Sequence, residues 1–186
     1  MTKPPKTPRP QKPPIQPARS DHVPDPNISL TQERLIGRTI VEWAKLEGCL
    51  TDAIALLAGM EFEVARVFTS RMDATTLIKS LRELGKLKLQ ENEFHALSVI
   101  CDKIDIRRED RILITHGTWG REAGQIEGYA LSLRIKGDPS EVVSETFPYR
   151  RMREIVADIL TLKWDLIRLL KLDVLPGIPP ARPLSS

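Results

Sequence analysis

Ile36-Gly-Arg-Thr-Ile40-Val-Glu-Trp43-Ala-Lys-Leu-Glu47-Gly-Cys-Leu50-Thr-Asp-Ala-Ile54-Ala-Leu-Leu57 spaces seven side chains alternately four and three residues apart, and all but Glu47 are apolar. That spacing gathers them into one stripe on a helix of about seven turns. Ser29 with Gln32 three residues later has the form of a capping box ahead of the stripe, and Gly59 is placed to end it. The chain therefore opens its folded part with a long amphipathic helix.

The helical period continues beyond it. A shorter helix is expected at 61–71 and another at 74–88, with Phe62, Phe68, Leu77, Leu81 and Leu84 as core candidates. A fourth is expected at 92–115, on the stripe Phe94, Leu97, Cys101, Ile104, Arg108, Arg111 and Thr115. This stripe begins apolar and ends polar. Then the period changes: Tyr129, Leu131, Leu133 and Ile135 alternate with small or charged residues, the pattern of a half-buried strand. Gly137-Asp138-Pro139-Ser140 reads as a turn and 141–147 as a returning strand. Pro148 suits the first turn of a last helix, whose buried face is Met152, Ile155, Val156, Ile159, Leu162, Leu166 and Leu169. The expected class is all-α, an up-and-down helical bundle with a small β-hairpin inserted before the last helix.

Outside 29–175 the composition differs. Residues 1–28 hold nine of the fifteen prolines and few large apolar side chains. Such a segment buries too little surface to offset the entropy of ordering, so a disordered basic tail is expected. Residues 176–186 read as a flexible C-terminal tail. The formal charge of +3 falls to −2 once Lys3, Lys6, Arg9, Lys12 and Arg19 are set aside, so the basic balance belongs to the tail. Those five cations would favour salt-sensitive phosphate contacts.

Several classes are disfavoured. No stretch has the ~18 apolar residues of a membrane span, and the N-terminus lacks the apolar core of a secretory signal, so a cytoplasmic protein is expected. Cys49 and Cys101 are too few and too far apart for a disulfide framework or a CxxC metal site, and read as buried thiols. His95, Cys101 and His116 lack zinc-ligand spacing. No metal or other cofactor is expected. The chain has neither a GxSxG elbow nor a GxxxxGK[ST] phosphate loop.

The chemistry is concentrated at Arg111-Ile-Leu-Ile-Thr115-His116-Gly117-Thr-Trp119. A forked, permanently charged donor suited to phosphate and a titratable imidazole stand close together where Gly117 should stop the helix. A helix continued through His116 would carry it about 140° around from Arg111. The two can serve one substrate if the helix ends near Thr115 and Gly117, in a left-handed conformation, turns the chain back, or if a neighbouring subunit supplies one of them. Glu47 and the core-type positions of Arg108 and Arg111 suggest that this carboxylate faces one of the two arginines across the bundle, because a buried charge is costly unless paired. That pair would fix helix register whether or not it took part in chemistry.

Arg111 and His116 with the following Gly117 and Trp119, carried by a long helix and read with Glu47 on the first helix, resemble the HEPN superfamily over roughly residues 30–171. The resemblance implies a metal-independent endoribonuclease, commonly a homodimer with the motif near the subunit interface. It implies that Arg111 holds the scissile phosphate and that His116 transfers a proton at the 2′-hydroxyl or the leaving oxygen, giving a 2′,3′-cyclic phosphate and a 5′-hydroxyl. Glu47 would orient Arg111, a role taken from its position on the stripe, with Arg108 and Thr115 as supporting residues. RNA is the implied substrate. A toxin–antitoxin or phage-defence setting follows, with a cognate antitoxin or other protein as partner. Where members usually carry a polar residue directly after the Arg, this chain has Ile112, and Asp110 stands before it. The alternative is a non-catalytic module of the same build that binds RNA, a nucleotide or a protein.

Overall fold

The computed structural model describes residues 29–117, 119, 131–135 and 142–172; segment 1–28, the turn expected at 137–140 and residues 173–186 lie outside the described residues. The fold is all-α, and among the described residues it is built on five helices: α1 (Leu30–Ala58), α2 (Phe62–Thr69), α3 (Ala74–Lys88), α4 (Glu91–His116) and α5 (Tyr149–Leu170). Between α4 and α5, strands β1 (Leu131–Ile135) and β2 (Val142–Thr146) pair antiparallel, Leu131 opposite Thr146.

The helix ends are set by local chemistry. Ser29 Oγ accepts from the Gln32 backbone at 3.2 Å while Gln32 Oε1 accepts from the Ser29 backbone, closing the capping box of α1. Gly59, at φ 66°, takes the left-handed cap conformation and donates to the carbonyls of Ala55 and Leu56. Asp73 caps α3 by accepting from Thr76 N at 2.7 Å. Pro148 is the N-cap of α5.

Side-chain pairs between helices fix their directions. α1 packs against α3 and α5, and α4 against the same two helices, closing a ring. Ser29 Oγ lies 2.6 Å from Tyr149 Oη, so α1 and α5 start at one end. Arg151 reaches Asp110 and Arg107 reaches Asp158, so α4 runs opposite to α5. Arg82 pairs with Asp102, and Gly85 packs on Leu97, so α3 also runs opposite to α4. The short α2 is the return stroke, with Arg66 facing Asp52 and Thr69 meeting Thr51 on α1.

Trp43, Leu50, Ile54 and Leu57 of the expected α1 stripe are buried, and Leu46 and Ala53 join them. Ile40, by contrast, is exposed and Glu47 half-buried. Leu46 and Ala53 lie three and four residues from members of the stripe, so the buried face of α1 is broader than the stripe rather than displaced from it. Phe68, a core candidate, is 65% exposed, because α2 buries only Ala65 and Thr69. Leu77 and Leu81 are buried as expected, and so are the α5 residues from Met152 to Leu166.

Gly85 marks the closest approach of α3 to α4. A Cβ built there would overlap Leu97 Cδ2. Gly85→Ala is expected to lower stability by about 1–2 kcal/mol in urea unfolding despite its better helix propensity, since over-packing outweighs that gain.

Candidate functional site at the end of α4

Towards its C-terminal end α4 carries five charged side chains in succession, Arg107 to Arg111, whose fates differ. Asp110 is only 7% exposed. It accepts from Arg107 of its own helix and, at 2.9 Å, from Nη2 of Arg151 on α5. Arg107 is shared with Asp158, 2.8 Å away on α5. Arg151 lies over the Phe147 ring at 4.4 Å, a cation–π contact. The buried carboxylate is thus compensated by two guanidiniums and clamps α4 to the start of α5. Arg108, on the polar part of the stripe, is engaged by Asp105 at 3.3 Å and Glu109 at 2.8 Å.

Arg111 is different. It follows the fully buried Ile104 by seven residues and so shares its face of the helix. It is half-buried, and its Nε is buried with no hydrogen-bond partner. Among the described residues no ion pair reaches it. Glu47 does not: its Oε1 accepts from Trp43 Nε1 at 2.7 Å, and it lines a cleft with α2 and α3. The expected pairing of Glu47 with Arg108 or Arg111 is therefore absent among the described residues. The buried acid of α1 is Glu42, 1% exposed, beneath Arg38 and Lys45, each at 3.1 Å. Its Oε2 has no partner.

α4 runs on through His116, which is exposed. Gly117 is extended at φ −73° and ψ 155°, so the left-handed turn back expected there is not formed. An extended glycine suffices because other groups satisfy the last carbonyls: Gly117 N donates to Leu113 O at 2.9 Å, and Trp119 Nε1 donates to Ile114 O at 2.9 Å. Thr115 spends its hydroxyl on the Arg111 carbonyl, 2.8 Å away. Trp119 packs against Phe147 with ring centroids 6.2 Å apart. With His116 still helical, its side chain leaves α4 about 140° around and about 7.5 Å along from Arg111. Of the two expected ways of bringing the pair to one substrate, the turn within a chain is not the one seen.

Burial pushes the Cys49 thiol up to about 12 and the Cys101 thiol to about 11, so neither is a ready nucleophile. Among the described residues no group of three or more His, Cys, Asp or Glu could hold a metal ion, and no helix is long and apolar enough to cross a membrane. His95 is exposed. No family model matches the chain, and no curated protein or solved structure is found similar to it.

The Asp110 clamp escaped the sequence reading. Its local half was visible as Arg107 and Asp110 at i,i+3, but Arg151 lies 41 residues away. Asp110→Ala is expected to cost about 1–3 kcal/mol in urea unfolding, the range for hydrogen bonds to a charged group. Asp158→Ala, removing a half-exposed carboxylate, should cost under about 1 kcal/mol.

Proposed function

We propose that the chain is a HEPN-like, metal-independent endoribonuclease that works as a homodimer, of the kind found in toxin–antitoxin or phage-defence pairs. The observation that carries this reading is the state of Arg111. Arg107 and Arg108 of α4 and Arg151 of α5 are engaged by carboxylates, while among the described residues Arg111 keeps a buried Nε without a partner. A half-buried guanidinium without a counter-charge is costly, and a phosphate oxyanion would relieve that cost with forked hydrogen bonds.

In this reading the 2′-hydroxyl of the RNA attacks the adjacent phosphorus as the bond to the 5′-oxygen breaks, leaving a 2′,3′-cyclic phosphate and a 5′-hydroxyl. Arg111 stabilises the charge that develops on the phosphoryl oxygens. An imidazole takes the 2′-proton or supplies one to the leaving oxygen. Because Arg111 and His116 diverge on one helix, the imidazole beside a given Arg111 is His116 of a second copy. The strand pair between α4 and α5, closed as a hairpin, would flank that end of the bundle. The Asp110 clamp holds the last turns of α4 in place, and Glu47 has no part in orienting Arg111.

The divergence of Arg111 and His116, with Ile112 after the arginine, favours a second reading, a non-catalytic module that binds RNA or a protein. The two separate on cleavage of single-stranded RNA in EDTA, with a melting curve for each protein. The ribonuclease reading expects Arg111→Ala and His116→Ala each to lose at least ~100-fold in rate while His116→Ala melts like the wild type. Metal-free cleavage absent from all three, with RNA still bound in a salt-sensitive way, is the outcome the binding module expects.

A further inference from the structure

The cleft that Glu47 lines between α1, α2 and the start of α3 owes nothing to Arg111 or His116. It encloses about 380 Å³ and is lined by Glu47, Gly48, Thr51, Asp52, Arg66 and Thr69, with Met72 and Leu77 as its apolar part. Its hydrogen-bonding character follows from where each proton goes. Thr69 Oγ1 donates to the Ala65 carbonyl at 2.8 Å, so in the 3.2 Å contact between the two threonine hydroxyls Thr51 is the donor. Ser70 likewise spends its proton on the Val67 carbonyl. What the hydroxyls offer to the cleft is therefore acceptor lone pairs.

The carboxylates add to this. Glu47 has one oxygen satisfied by Trp43 Nε1, and the other is left for the cleft. Asp52 has Arg66 as its nearest cation, 3.8 Å away and beyond hydrogen-bonding distance, on a side chain that is 67% exposed. Burial pushes the Asp52 carboxyl up from its ordinary value, and Arg66 only partly opposes this. Gly48 leaves room beside these groups, since a Cβ there would meet nothing within 4 Å.

We propose that this cleft binds an organic cation, an alkylammonium or guanidinium group, whose N–H donors are taken by Asp52, Glu47 and the Thr51 oxygen while its carbon chain lies on Met72 and Leu77. Such a group could come from a free small amine or from a Lys or Arg side chain of a peptide. The two sources present the same donors and differ in what surrounds them.

The test is calorimetric titration of the full chain with agmatine, a free guanidinium-amine, and separately with Nα-acetylarginine amide, the same group as a peptide side chain. Two variants probe different properties. Asp52→Asn removes the charge and keeps the shape; because the fold disfavours the Asp52 anion, the variant should melt no lower than the wild type at neutral pH. Gly48→Leu fills the cleft, leaves both carboxylates in place and improves helix propensity. Wild type is expected to bind at least one of the two probes, at least tenfold more tightly than either variant. Preference for agmatine assigns the site to free amines, and preference for the acetylated amide to a side chain. Binding of neither probe, or equal binding by wild type and a folded Gly48→Leu, overturns the proposal.

Discussion

One buried carboxylate, Asp110, organises the charged end of α4. Asp110 is buried at the α4–α5 junction, and Arg107 and Arg151 bring two guanidiniums to its carboxylate. Arg107 is completed by Asp158, and Arg151 is held against Phe147. This charge-balanced set closes the bundle at that end. Arg111, next in sequence to Asp110 but about 100° around the helix, is left out of it.

The same end of the bundle is finished by an aromatic side chain, Trp119. Its indole donates to the Ile114 carbonyl and rests on Phe147, which is fully buried. The chain leaving α4 is therefore drawn onto the helix it has just left, although Gly117 is extended. The consequence for function is directional. A helix that persists through His116 sends its imidazole to solvent and its guanidinium toward the interior. In the proposed reading, a site made from both draws on two copies of the chain.

Much of the fold could be read from the sequence because its signals are local. The capping box at Ser29 and Gln32, the glycine at 59 and the proline at 148 each act within a few residues of a helix end. Arg111 was identifiable because it continues an apolar stripe past Ile104. What escaped depends on contacts distant in sequence. Glu42 and Glu47 are five residues apart on α1, and the period alone does not say which faces inward; packing buried Glu42. Phe68 was assigned to the core on hydrophobicity, yet a helix of eight residues has little face to bury. The reach of Arg151 to Asp110 joins two helices through a connection that no local pattern encodes.

The central claim, that Arg111 and His116 act from different copies, is tested most directly by mixing. Arg111→Ala and His116→Ala chains are unfolded together, refolded and assayed for metal-free RNA cleavage. A site built across a two-fold axis predicts about a quarter of the wild-type rate, from one intact site in half of the dimers. A mixture no more active than its two parents, from a wild type that does cleave, would contradict it.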